Sequence, residues 1–86
     1  MKELEQVFKA LANRRRLAIV KYLKKAHSAS VGNIAEEIKL SFKATSKHLS
    51  ILFNANILEK KQINLSVFYS ITDIPSSIIK KLLEVL

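Results

Sequence analysis

Lysine and serine recur at helical spacing in the segment 41–52 of this chain. The four residues fall at i, i+3, i+4 and i+7, and they are Lys43, Ser46, Lys47 and Ser50. In a helix this spacing places all four side chains on one outward stripe. The lysines can bind phosphates or guanine edges, and the small hydroxyls allow a close approach to bases. The stripe therefore predicts contact with a DNA groove; the alternative is a solvated helix face.

The other side of the same segment is suited to a protein core. Thr45, Leu49 and Leu52 fall at i, i+4 and i+7, so we expect them to be buried. Ser41 is the expected N-cap, and Phe42 after it either contacts a thymine methyl or packs on the preceding helix. The candidate DNA-binding residues of this recognition helix are Ser41, Phe42, Lys43, Ser46, Lys47 and Ser50.

Two short runs follow this helix and predict a β-hairpin, and the second run is rich in β-branched and aromatic residues. They cover residues 57–63 and 67–71, and the second alternates as a half-buried strand does. We expect the turn at Asn64 and a loop of three or four residues, because Leu65 is poorly suited to a tight turn that needs positive φ. Lys60 and Lys61 on the first strand can contact DNA phosphates; the alternative is a charged edge strand.

The composition limits the class of protein. Eighty-six residues, 49% of them hydrophobic, predict one small globular domain over residues 1–86. A net charge of +8 favours a polyanionic partner, and the alternative is a lysine-rich surface that only aids solubility. The chain has no cysteine, no apolar run long enough for a membrane span and no signal-peptide pattern at its start. We therefore expect a cytoplasmic setting.

Helical periodicity accounts for much of the remaining chain, which contains only one glycine and one proline. A first helix over 2–11 precedes Asn13, the expected N-cap of a second helix that runs to about Lys25. Residues 26–29 should form a polar connection. A last helix, at about 75–86, is apolar over more than one stripe.

The third and fourth helices should lie close together. Ser30 is the expected N-cap of the third helix, and only Lys39 and Leu40 separate that helix from Ser41. Two short helices joined by so tight a turn predict a helix-turn-helix. The fourth helix should end near Asn54, and Asn56 after it tolerates a left-handed backbone better than most residues.

Several motifs together resemble the winged helix-turn-helix of the ArsR (arsenic-repressor) family. The segments that carry the resemblance are Phe8–Asn13 with Arg16 and Leu17, Val31–Ala35, Leu40–Ser41, Ser46–Leu49 with Leu52, Ala55–Leu58 and Val67–Tyr69. The resemblance implies a mainly α fold with a small β-hairpin, in the order α-α-α-α-β-β-α. It also implies a dimeric, DNA-binding transcriptional repressor. The sequence has no Ser/His/Asp arrangement, no Gly-rich phosphate loop and no clustered acids, so we do not expect an enzyme.

The metal ligands of that family are missing from this sequence. Metal-sensing members place cysteines at the positions of Ser30 and Gly32, or Asp and His pairs on the last helix. This chain has no cysteine, and its segment 74–86 holds no histidine and one carboxylate, Glu84. His48 is expected to be a packed, hydrogen-bonding residue. We therefore expect neither a metal nor a cofactor.

The first and last helices carry more apolar surface than a small monomer can hide. We expect them to form a two-fold interface; the alternative is that they complete the monomer core. The candidate interface residues are Leu4, Val7, Phe8, Leu11, Ile78, Ile79, Leu82 and Leu86. A homodimer would bind a palindromic operator, with recognition helices about 34 Å apart. The alternative function is a protein interaction module whose basic face binds an acidic partner.

Three consecutive cations, Arg14, Arg15 and Arg16, stand at the predicted start of the second helix. The helix macrodipole disfavours cations there, which suggests that they have other partners. One hypothesis is a phosphate, or a carboxylate across the dimer. The other is an ion pair of Arg16 with Glu36 or Glu37.

Overall fold

The structure, a computed structural model, describes residues 2–72 and 77–86, apart from the side chains of residues 78 and 79. The predicted start of the last helix near residue 75 lies outside the described residues. The described residues form five helices and a three-stranded sheet, and the predicted winged helix-turn-helix order is confirmed. The elements are α1 Lys2–Leu11, α2 Arg14–Ala26, β1 Ser28–Ser30, α3 Val31–Ile38, α4 Phe42–Asn54, β2 Leu58–Ile63, β3 Ser66–Ile71 and α5 Ser77–Glu84.

Short polar side chains start three of the helices, as the sequence predicts. The Asn13 side chain accepts hydrogen bonds from the first-turn amides of α2. The Ser30 and Ser41 hydroxyls accept from the third amide of α3 and of α4, each at 3.1 Å. A cap of this kind typically contributes about 1 kcal/mol. The three caps therefore fix where the helices around the tight turn begin.

The helix-turn-helix is closed by a residue in the left-handed conformation. Lys39 has φ 57° and ψ 51°. Its N–H donates to the Glu36 carbonyl at 3.3 Å, and the Leu40 N–H donates to the Ala35 carbonyl at 3.0 Å. These two bonds form a Schellman motif, which usually has glycine at this place. Asn56, with φ 62°, ends α4 as expected.

Two sequence-based expectations for the sheet are wrong. Residues 26–29 are not only a connection, because Ser28–Ser30 pairs antiparallel with β3. Three small residues carry no strand pattern of their own, and the strand exists because the edge of β3 offers backbone partners. The hairpin loop has two residues rather than three or four, since Ile63 pairs with Ser66. Asn64 alone takes the positive φ, 56°, so Leu65 need not adopt it.

One apolar core lies between α2, α3, α4 and the sheet. Its fully buried side chains include Ile19, Leu23, Ile34, Leu49, Leu52 and Ile57. The helix α5 packs on α2, where the Lys24 ammonium donates to the Leu83 carbonyl at 2.6 Å. No described helix combines the length and the apolar character that a bilayer crossing requires. The core fixes the helix-turn-helix against the hairpin.

The turn residue Lys39 gives a stability test. We expect Lys39→Gly to raise the free energy of unfolding by about 0.5–1 kcal/mol, because relief of the left-handed strain exceeds the added entropy of the unfolded chain. Urea unfolding at one fixed protein concentration measures the change. Glu37→Gly, within α3, is the matched control and should lower stability by about 1 kcal/mol. A Lys39→Gly variant no more stable than the parent would show that the turn is unstrained.

Candidate nucleic-acid interface

The two faces of α4 lie as the sequence predicts. Thr45, Leu49 and Leu52 are each 0% exposed, so the core holds the inner face of the helix. Lys43 and Lys47 are exposed on the outer face. Ser50 is exposed as well, and Ser46 is half-buried. The burial of one face therefore leaves two lysines and two hydroxyls on a single outward stripe.

At the start of α4, the Ser41 side chain is hydrogen-bonded within the protein and the Phe42 side chain is exposed to solvent. The Ser41 hydroxyl is used as the N-cap, accepting from the Ala44 N–H. Phe42 is 62% exposed. Its ring lines a surface groove with Val31 of α3 and Leu65 of the hairpin loop. Most of this residue is therefore available to a ligand.

The two hairpin lysines lie on opposite faces of the sheet. Lys60 pairs with the buried Tyr69, whereas Lys61 pairs with Phe68 on the outer face. The Lys60 ammonium lies 4.4 Å from the centre of the Phe53 ring of α4, a cation–π contact. Since Phe53 is one turn beyond Ser50, Lys60 continues the outward stripe of α4. The sequence could not separate these neighbours, because only strand register decides which face each occupies.

Two of the three arginines bind the C-terminal ends of other helices. The Arg15 guanidinium donates to the carbonyl of Ile38, the last residue of α3, at 3.2 Å. Arg16 donates to the carbonyls of Ala10 and Lys9 in the last turn of α1. A helix C-terminus carries partial negative charge, which explains cations at an otherwise unfavourable place. The predicted pairing of Arg16 with Glu36 or Glu37 is wrong, because backbone carbonyls are its partners.

Arg16 also joins the recognition helix to α1. Its Nη1 lies 3.1 Å from Nδ1 of His48, which is half-buried in α4. An arginine can only donate, so Nδ1 is the acceptor and the proton of neutral His48 lies on Nε2. Burial, and then the nearby cations Arg16, Arg15 and Lys47, lower the pKa of His48 below its ordinary value. His48 is thus a packed, hydrogen-bonding residue, as expected.

An apolar groove lies on a separate surface, between α1, α2 and α5. Four of the predicted interface residues line it, namely Phe8, Leu11, Leu82 and Leu86. Phe8 is 48% exposed, and Val85 beside it is 80% exposed. Val7 and Leu11 are almost wholly buried within the protomer, so they add little area to any interface. Leu4 lies next to Phe8 on the outer face of α1, and the side chains of Ile78 and Ile79 lie outside the described residues.

Comparison with known proteins decides the family. The family described as bacterial regulatory protein, arsR family, matches residues 13–60, more than half of the chain. The arsenical resistance operon repressor of Bacillus subtilis (strain 168) is 32% identical over 73 residues, which cover 85% of this chain and 70% of the repressor. The chain belongs to the ArsR family.

Solved structures agree with the ArsR assignment over almost the whole chain. HlyU from Vibrio cholerae N16961 is 30% identical with a TM-score of 0.84, covering 98% of this chain and 87% of HlyU. The homodimeric winged helix-turn-helix DNA-binding domain of Mb0332 from Mycobacterium bovis is 25% identical with a TM-score of 0.85, covering 98% of this chain and 74% of that domain. The predicted class is confirmed: this ArsR-family chain is a transcriptional regulator and not an enzyme.

The sensor positions of this ArsR-family chain hold no metal-binding side chain. The Ser30 hydroxyl caps α3, and Gly32 is exposed. Within residues 2–72 and 77–86, no three His, Asp or Glu side chains form a group that could hold a metal ion. The expectation that this regulator works without a metal remains a prediction.

The burial of His48, beside the cation Arg16, makes the stability of this ArsR-family domain dependent on pH. The folded state disfavours the charged imidazole, so between its lowered pKa and the ordinary value of 6.5 only the unfolded chain binds the proton. We expect the free energy of unfolding to fall as pH drops below about 6.5 and to level off below the folded-state pKa.

Urea unfolding of two variants between pH 5 and pH 8 measures this contribution. His48→Gln keeps an acceptor for Arg16 but cannot titrate, so the slope below pH 6.5 should shrink. Asn33→Gln, an exposed neutral residue of α3, is the control and should keep the slope. If the free energy of unfolding falls equally with decreasing pH in the parent and in His48→Gln, then His48 is not the source of the pH dependence.

Proposed function

We propose that this chain is a homodimeric repressor that binds a palindromic operator in double-stranded DNA. The observation that carries the proposal is the outward stripe of α4, with Lys43 and Lys47 exposed above a wholly buried inner face. A helix of this width fits the major groove, where base edges carry a distinct donor and acceptor pattern. Lysines on such a helix can bind both phosphates and guanine edges.

The charge distribution supports a polyanionic ligand. Between residues 38 and 72 the sequence contains five lysines and a single carboxylate, Glu59. Among the described residues the one ion pair is Glu5–Lys9, on the outer surface of α1. No described carboxylate therefore forms an ion pair with the lysines of α4 and of the hairpin, so these lysines can bind a polyanion. Binding of DNA phosphates by such cations releases counterions and gives strong salt dependence.

The apolar groove supports a two-fold assembly through α1 and α5. Phe8 and Val85 expose large apolar side chains on this groove, and burying them against a second copy would remove them from water. The Mb0332 domain, similar to this chain, is homodimeric. Two copies related by a two-fold axis would place their α4 helices about 34 Å apart, one turn of DNA. Binding at a promoter would then block transcription by occlusion.

Salt-dependent DNA titration tests the proposed activity. DNA selected from random oligonucleotides by the parent protein should bind with log K falling by several units per unit of log salt, about 0.9 per phosphate contact. Palindromic selected sites would support the dimeric mode. Failure to bind any duplex at low salt, with retention on an acidic protein, would instead favour the protein interaction module.

Two variants on one strand sharpen the same titration. Lys60→Ala removes a cation that continues the α4 stripe, so the salt slope should fall by about 0.9. Lys61→Ala removes the same charge from the outer face of the sheet and is the matched control, with a smaller loss of affinity. An equal loss of DNA affinity in Lys60→Ala and Lys61→Ala would contradict the assignment of Lys60 to the interface.

Sedimentation of a groove variant tests the dimer. Val85→Asp introduces a charge at a position 80% exposed in the protomer, so folding should survive while the two-fold contact is lost. We expect the dimer dissociation constant to rise at least about 100-fold, since an unpaired charge would be buried. Leu65→Asp introduces the same charge at a position 99% exposed on the hairpin loop, away from the groove; it is the control and should stay dimeric. A parent protein that is monomeric at micromolar concentration would overturn the proposal.

A further inference from the structure

Two of the most exposed apolar side chains stand on the side of the molecule that bears the hairpin loop. Leu65 is 99% exposed and Phe42 is 62% exposed. Both line one surface groove, together with Val31 and Val67. This groove is separate from the one formed by α1 and α5. Phe42 is a candidate DNA contact from the sequence alone, whereas the proposed lysine contacts leave Leu65 without a role.

Both side chains are held by well-defined backbone. Phe42 is the first residue of α4 and directly follows its N-cap, Ser41. Leu65 is the second residue of a two-residue loop that Ile63 and Ser66 close. The left-handed backbone of Asn64 and a 3.3 Å hydrogen bond from the side-chain amide of Gln62 to the Asn64 carbonyl fix the loop. Ordering these side chains on a ligand thus costs little backbone entropy.

The surroundings of the groove favour DNA as its occupant. The residues that line the groove carry no charge, and the exposed Lys43 directly follows Phe42 on α4. A purely apolar peptide would leave Lys43 unpaired, whereas a duplex offers phosphates beside apolar groups. Those apolar groups are the thymine methyl in the major groove and the sugars that line the minor groove. The groove is also continuous with the α4 stripe, because Lys43 follows Phe42.

We propose that Phe42 and Leu65 form an apolar clamp on duplex DNA, an inference that rests on the proposed function. One strand of the operator lies in the groove between them. Phe42 contacts a thymine methyl on the major-groove side, and Leu65 packs on sugars at the edge of the minor groove. The clamp supplies a part of the affinity that does not depend on salt, and it sets a thymine preference in each half-site.

The test compares apolar and charge variants on one DNA. The probe is a duplex selected by the parent protein, titrated at several salt concentrations. Leu65→Ser and Phe42→Ala should each weaken binding by roughly ten-fold at every salt concentration, because each removes apolar area from the contact. The slope of log K against log salt should stay that of the parent, since no phosphate contact is lost. Selection with Phe42→Ala should also lose the thymine preference at one position of each half-site.

Matched measurements keep the outcomes distinct. Ile63→Thr changes an exposed apolar residue of the same hairpin outside the groove, and it should bind like the parent. Thermal unfolding of all variants shows whether the fold is intact. Unchanged DNA affinity for Leu65→Ser and Phe42→Ala, with the parent binding well, would overturn the clamp and leave the proposed function standing. A reduced salt slope in these variants would also overturn it. A parent that binds no duplex would refute the proposed function itself.

Discussion

The burial of one face of α4 is the constraint on which the candidate site depends. Thr45, Leu49 and Leu52 are wholly removed from water, and together they fix the rotation of the helix about its axis. A helix has one rotation, so fixing the inner face also fixes the direction of Lys43 and Lys47. The surface chemistry is therefore a consequence of the core. A change that turned α4 by a quarter would lose apolar burial and the outward stripe together.

The arginines at the start of α2 show how a locally unfavourable placement is compensated elsewhere. Arg15 and Arg16 stand near the positive end of their own helix, yet they donate to carbonyls at the negative ends of α3 and α1. Hydrogen bonds from a charged donor are stronger than neutral ones. Arg16 further contacts His48, so one guanidinium joins α1, α2 and α4. The helix proposed for the dimer is thereby linked to the recognition helix by one side chain.

Exposed apolar side chains are divided between two surfaces with different surroundings. Phe8 and Val85 border a groove between terminal helices, and a second copy of the chain is the occupant we propose there. Phe42 and Leu65 border a groove in a segment rich in lysine, which suits a polyanion that also carries apolar groups. The neighbouring charge, and not the apolar area, therefore distinguishes the two proposed partners.

The sequence by itself determined the elements that depend on local chemistry. Helical spacing and the caps Asn13, Ser30 and Ser41 predicted the helices around the turn, because these signals act within a few residues. Family motifs spread along the chain predicted the winged helix-turn-helix. Only the tertiary structure decided what depends on distant partners. The short strand Ser28–Ser30 exists because β3 lies beside it, and the carbonyl partners of Arg15 and Arg16 come from other helices. The opposite faces of Lys60 and Lys61 likewise follow from strand register, which no local pattern in that charged strand specifies.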